Sequence, residues 1–167
     1  AQLLEQLVSI GVLCNPEKTW FFAEEIEYLG YIFNQLGTMP RPDYIQKILD
    51  FPTPTTQKEC KSFLAVVNYI ARYVPDFASI AHHIQQLLRK QAPYRWEEPQ
   101  KQAFKAIKDR IKQIKLLSHP TPDGEFLVRT DSSKYAISGV LYQKQKDKKT
   151  GKYKWALIEF YSRTLEK

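Results

Sequence analysis

The chain reads as an α+β protein in three consecutive stretches: a small β-hairpin segment, a helical bundle, and a three-stranded antiparallel sheet. Three observations carry that expectation. Prolines stand in pairs at positions 40 and 42, 52 and 54, and 120 and 122, and each pair interrupts a run of regular spacing. Between the first and last pairs the apolar residues recur at helical intervals. Past Pro122 they recur at the intervals of strands.

Taken in order, Leu3, Leu4, Leu7 and Val8 predict an amphipathic helix that ends at Gly11. Residues 19–23 and 25–33, rich in aromatic and β-branched side chains, predict two short strands, and Gly37 closes that segment. Residues 42–50 predict a short leading helix. Thr56 and Glu59 have the spacing of a capping box. Cys60, Phe63, Leu64, Val67, Ile70, Ala71 and Val74 then mark one apolar face, which Pro75 stops. Phe77, Ile80, Ala81, Ile84, Leu87 and Leu88 repeat the pattern, and Phe104, Ile107, Ile111 and Ile114 define a further helix after Trp96. Residues 126–130, 137–144 and 154–161 predict three antiparallel strands, the last two joined by the basic loop 146–152. Three strands with no covering helix leave one sheet face open. The last residues, Glu166 and Lys167, stand where a helix is expected to begin. The sheet is therefore expected to be a truncated domain and the chain a fragment.

With 167 residues, 43% hydrophobic and 26% charged, the composition is that of a globular protein. No apolar run is long enough for a membrane span, and the opening residues lack the basic start of a signal peptide. Cys14 and Cys60 are far apart with no Cys-x-x-Cys, so neither a zinc site nor a disulfide framework is expected. That usage fits a reduced, intracellular compartment. The net charge of +7 is unevenly spread. Residues 1–30 carry five glutamates against Lys18 alone, residues 89–115 nine basic residues against three acidic ones, and residues 134–154 seven lysines against Asp147. Two basic blocks fit a polyanion partner, and the alternative reading is a solvated lysine face.

Asp131 is the candidate for chemistry. An apolar strand, residues 126–130, delivers it ahead of Ser132 and Ser133. A carboxylate at the end of a buried strand is costly unless it is hydrogen-bonded or holds a metal. The alternative is an Asp that opens a turn.

Several short motifs stand in a fixed order. They are Tyr28-Leu29-Gly30-Tyr31-Ile32, Pro52-Thr53-Pro54, residues 61–69 (Lys-Ser-Phe-Leu-Ala-Val-Val-Asn-Tyr) and residues 72–81 (Arg-Tyr-Val-Pro-Asp-Phe-Ala-Ser-Ile-Ala). Tyr94-Arg95-Trp96, Gln102-Ala103-Phe104, Thr130-Asp131-Ser132-Ser133 and Phe160-Tyr161-Ser162-Arg163-Thr164-Leu165 complete the set. Together they resemble the Pol polyprotein of gypsy-type LTR retrotransposons and its retrovirus-like cousins, over essentially the whole chain.

The resemblance implies residues 1–39 as the end of a polymerase palm, 40–119 as a thumb bundle, and 120–167 as the first strands of a ribonuclease H-like domain. Tyr28, Leu29, Gly30 and Tyr31 match the primer grip, which holds a primer 3′ end, and Gly30 is expected to let nucleic acid approach the backbone closely. Gln57, Lys61, Ala65, Asn68 and Arg72 form a polar stripe on the second bundle helix. Lys61, Asn68 and Arg72 would meet a duplex there without reading its sequence. Asp131 matches the first catalytic aspartate of the ribonuclease H site, where it would bind one of two Mg²⁺ ions about 3.5–4 Å apart. One aspartate cannot hold two ions. The family's next carboxylate falls beyond Lys167, Glu159 and Glu166 are the nearest alternatives, and the polymerase's Tyr-x-Asp-Asp is absent. The chain by itself is thus expected to catalyse neither reaction and to bind Mg²⁺ weakly.

The implied partners are an RNA–DNA hybrid or DNA duplex, plus the remaining palm, fingers and ribonuclease H segments, with no membrane. The implied setting is the cytoplasm or a virus-like particle. The alternative functions are a non-catalytic nucleic-acid-binding remnant and a structural polymerase subunit. A silent connection domain is the alternative to an active ribonuclease H, and the lysine-rich loop 146–152 is longer than either leads one to expect. His82, His83 and His119 read as structural or surface residues, and Trp20, Trp96 and Trp155 as core anchors.

Overall fold

The computed structural model describes residues 2–147 and 150–165. A helix α1 (Gln2–Ser9) and a 3₁₀ turn (Pro16–Lys18) precede a three-stranded antiparallel sheet of β1 (Glu25–Tyr28), β2 (Tyr31–Asn34) and β3 (Gly37–Pro40). Helices α2 (Pro42–Leu49), α3 (Gln57–Tyr69), α4 (Phe77–Gln86) and α5 (Glu98–Lys112) follow, and a second antiparallel sheet contains β4 (Phe126–Ser132), β5 (Ala136–Lys146) and β6 (Tyr153–Thr164) in that order. Fold class and element order agree with the sequence reading.

The bundle begins where local chemistry says it should. Pro42 opens α2, and Thr56 caps α3 by accepting the Glu59 amide at 3.2 Å. The Glu59 carboxylate reaches back to the Thr55 amide at 2.7 Å and the Thr55 hydroxyl at 3.0 Å. Those two donors hold it below the usual carboxylate range. Cys60, Phe63, Val67, Ile70, Ile84 and Ile107 are completely buried at the centre of the core. Tyr31 from the first sheet and Leu157 and Phe160 from the second pack against the same core. One hydrophobic centre therefore joins all three stretches.

Two backbone contacts tie the sheets to that centre. Thr38 of β3 forms an antiparallel bridge with Leu117, with hydrogen bonds of 2.8 and 3.0 Å. One residue on, the Ser118 amide donates to Leu157 of β6 at 2.8 Å. Strand β6 also docks on α4: the Ser162 hydroxyl accepts the Ala78 amide at 2.9 Å, and Thr164 donates to Gln85 at 3.0 Å.

Several expectations are corrected. Residues 19–23 form no strand, because Pro16 starts a 3₁₀ turn and the aromatics after it project outward, with Phe22 fully exposed. The run 25–33 is two strands, broken at Leu29 and Gly30, whose φ values of 46° and 75° make a tight turn. Gly37 starts a third strand instead of closing the segment. Helix α3 ends at Tyr69, short of Val74, and a separate 3₁₀ turn covers Ala71–Tyr73. Trp20 and Trp155 are 69% and 45% exposed, so among the tryptophans only Trp96 packs against the core. The open sheet face is as expected: Val128, Ile137 and Tyr161 are exposed on it.

Candidate nucleic-acid interface

The tip of the β1–β2 hairpin and the exposed side of α3 meet. Leu29 and Gly30 make the turn, and the Gly30 carbonyl accepts the Arg41 amide at 3.0 Å. A Cβ on Gly30 would lie 3.1 Å from the Tyr69 hydroxyl and 3.3 Å from its ring. The Tyr69 side chain thus approaches this glycine closely. Tyr31 locks the junction. Its ring stacks between Tyr69 and Tyr73, at centroid distances of 4.9 and 5.8 Å, and its hydroxyl donates to the Tyr69 carbonyl. Burial, reinforced by the neighbouring Tyr69, pushes the Tyr31 phenol well above the ordinary range. At neutral pH it therefore stays a neutral donor.

Around this junction the sequence-predicted residues fall into two groups. Tyr28, Leu29, Lys61, Ala65 and Asn68 are exposed on the hairpin tip and on α3. They leave one surface of backbone turn, small side chain and cation that nothing else covers among the described residues. Tyr69 belongs to the same surface at 39% exposure and was missed in the sequence, where it stands only as the last residue of the 61–69 motif. The signal was present: Lys61, Ala65 and Tyr69 are spaced by four, one above another on a helix. Arg72 departs from the expectation. It lies in the 3₁₀ turn, its guanidinium 5.9 Å from the Tyr73 ring centroid and 3.6 Å from the Glu159 carboxylate. It still points to the exposed side, at 46% side-chain exposure.

Asp131 sits on the other sheet. Strand β4 is largely exposed, so the carboxylate avoids the cost expected of a buried one. Its Oδ1 accepts the next backbone amide, Ser132, at 2.8 Å. In register it pairs with Ser138, which pairs with Ser162, so these three share a face. Glu159 lies an odd number of residues from Ser162 and so on the opposite face, engaged with Arg72. Glu166 lies outside the described residues. Among the described residues no group of three His, Cys, Asp or Glu side chains is placed to hold a metal ion. The residues present do not fit a two-magnesium centre.

The histidines serve packing. His82 is buried, stacks on Tyr135 at 4.2 Å and bonds to Gln86 at 2.9 Å, while His119 donates to the Asn34 carbonyl at 2.9 Å. No helix among the described residues is long and apolar enough to cross a membrane.

Residues 96–167 match the family model of the RNase H-like domain found in reverse transcriptase. The match starts at Trp96, so it takes in α5 as well as the second sheet. The Tf2-3 and Tf2-4 transposon polyproteins of Schizosaccharomyces pombe are 28% identical over 165 residues, 99% of this chain. The findings support a retroelement Pol reverse transcriptase–ribonuclease H region. The chain spans 12% of the length of those polyproteins. It is also similar in fold to the foamy viral protease–reverse transcriptase solved with an RNA/DNA hybrid, with a TM-score of 0.75 at 19% identity, covering 99% of this chain and 22% of that one. The same viral protein solved with dsDNA gives a TM-score of 0.74, again at 19% identity, over 99% of this chain and 33% of that one. The likeness runs through both sheets and the bundle, which matches the α+β reading.

Proposed function

We propose that this chain is the part of a retroelement reverse transcriptase that clamps a template–primer duplex, an RNA–DNA hybrid or a DNA duplex. The observation that carries this reading is the contact of Gly30 with Tyr69, which makes the hairpin tip and the exposed side of α3 one continuous surface. On that surface Lys61 offers a cation, Asn68 a neutral donor, and Ala65 room for a backbone to come near. Contacts of this kind position a duplex without reading its bases. The foamy viral structures were solved with such duplexes, which supports the partner class. Residues 1–39 then act as the palm edge, 40–119 as the thumb and 120–167 as ribonuclease H strands. The remaining palm, fingers and ribonuclease H segments of the same polyprotein are the protein partners.

Asp131 is the carboxylate this chain contributes to ribonuclease H chemistry in the complete enzyme. One aspartate cannot hold two metal ions, so on this reading the other carboxylates come from the complete enzyme and the chain by itself is proposed to be catalytically silent. An intracellular setting, cytoplasmic or in virus-like particles, accords with this reading.

The test is binding of a labelled RNA–DNA hybrid at two salt concentrations with Mg²⁺ present, followed by electrophoresis of the RNA strand. Affinity that falls steeply with salt while the RNA stays intact is the expected result. Absence of binding at low salt would overturn the clamp, and cleaved RNA would overturn the silence.

A further inference from the structure

The far end of the β5–β6 hairpin carries a pattern that the duplex surface does not use. Lys144 is paired across the strands with Trp155, and Lys146 with Tyr153. Directly paired residues, and residues two apart along a strand, share a face. Two aromatics and two lysines therefore stand together, with Tyr153 at 66% and Trp155 at 45% exposure. The Lys144 ammonium lies 5.9 Å from the Tyr153 ring centroid, which confirms the shared face.

The opposite face is occupied. Gln143 is completely buried there, accepting the Thr121 amide at 2.8 Å and donating to the Thr121 carbonyl at 2.9 Å. Gln145 donates to the His119 carbonyl at 2.7 Å. These bonds pin the hairpin to the linker before β4 and hold the aromatic face outward. Beside it opens a cleft of about 890 Å³ whose walls include Leu36, Lys144, Lys146, Tyr153 and Lys154. Two carboxylates temper the charge: Glu125 lies 3.4 Å from Lys144, and Asp147 2.8 Å from Lys154. With Lys146 and Lys152 added, the lysines still outnumber them.

Exposed aromatics on a strand, two residues apart and flanked by cations, are what unpaired bases need. Every base has a π-face to stack, and lysines meet the phosphates on either side. The pattern lies six to eight residues along β5 from Ser138, the partner of Asp131, or about 20–26 Å at strand rise. It is therefore separate from the ribonuclease H carboxylate, and it lies on a different sheet from the hairpin tip at Gly30. We propose that Tyr153 and Trp155, with Lys144 and Lys146, form a stacking platform for two unpaired bases of single-stranded RNA or DNA. This site stands independently of the duplex clamp.

The test is fluorescence anisotropy of the 167-residue chain with a labelled oligothymidylate and, separately, with a fully paired RNA–DNA hybrid. Two double variants are compared, Tyr153→Ala with Trp155→Ala and Tyr153→Phe with Trp155→Phe. The parent binds the oligothymidylate. The alanine pair loses about tenfold or more in affinity for it, and the phenylalanine pair stays within about threefold of the parent, because stacking is retained. Hybrid affinity is the same in all three. No binding of the single strand by the parent would overturn the platform, as would an alanine pair that binds it like the parent. A phenylalanine pair as weak as the alanine pair would also overturn it, since the contact would then not be stacking. Failure to bind the hybrid alone would count against the clamp and leave the platform standing.

Discussion

Replacing Gly37 by alanine is expected to pry the first sheet away from the bundle. A Cβ at that position would lie 2.1 Å from the Leu117 carbonyl oxygen and 2.9 Å from its carbon. Both are backbone atoms, so no change of rotamer makes room and the strand itself must withdraw. Withdrawal breaks both hydrogen bonds between Thr38 and Leu117, at 2.8 and 3.0 Å. Thr38 is 8% exposed and Leu117 1%, so water replaces those bonds poorly. Two net hydrogen bonds contribute about 1 kcal/mol each. Partial withdrawal of Leu117 from the core adds about 1 kcal/mol. The total is about 3 kcal/mol. Urea unfolding followed by circular dichroism measures it, with Gly139→Ala as the internal control. A Cβ on Gly139 meets only the Arg129 carbonyl, at an ordinary 3.7 Å, so that variant is expected within about 0.5 kcal/mol of the parent. Equal stability of the two variants would refute the argument that the Thr38–Leu117 bridge holds the sheet to the bundle.

Lys61→Ala is expected to weaken binding of an RNA–DNA hybrid and to lower the salt slope by about one, with unfolding free energy unchanged, as seen in binding titrations at several salt concentrations. Gln143→Leu removes both hydrogen bonds between a completely buried side chain and the backbone of Thr121, which is itself exposed and can turn to water, so urea unfolding should show a loss of about 1–2 kcal/mol. Glu159→Gln removes an ion pair whose side chains are 46% and 43% exposed, so its effect on thermal stability should stay below about 1 kcal/mol. The Thr55 amide and hydroxyl depress the Glu59 carboxyl in the folded chain. Their contribution is present above the ordinary carboxylate value and is lost as pH falls through the lower folded value. Glu59→Gln should accordingly flatten the acid side of the stability profile, measured by thermal unfolding across pH, and leave its neutral side nearly parallel.

What was legible in the sequence was local. Thr56 and Glu59 announced the start of α3 because a cap and its partner lie within one turn. The apolar spacing of Phe63, Leu64 and Val67 announced the buried face for the same reason. The hairpin at Leu29 and Gly30 was also within reach, since a glycine after an exposed residue in a strand pattern is a turn signal. Composition alone makes the run 25–33 one strand, because its β-branched and aromatic residues continue on both sides of the turn, and only the resemblance implies a hairpin there. Trp20 and Trp155 misled in another way. Size and apolarity favour burial on average, but burial of any one ring depends on which neighbours arrive.

The candidate site divides along the same line. Composition and motif order determined the α+β class, the order of elements, Asp131 and the exposed residues of α3, because each is written within a few turns or strands of chain. Tertiary structure alone decided that Tyr69 closes over Gly30, that Arg72 meets Glu159, and that Thr38 bridges to Leu117. Those partners lie tens of residues apart, and no spacing encodes them. They are selected when a shared core forms and every buried donor, acceptor and charge must find its match in the space that remains.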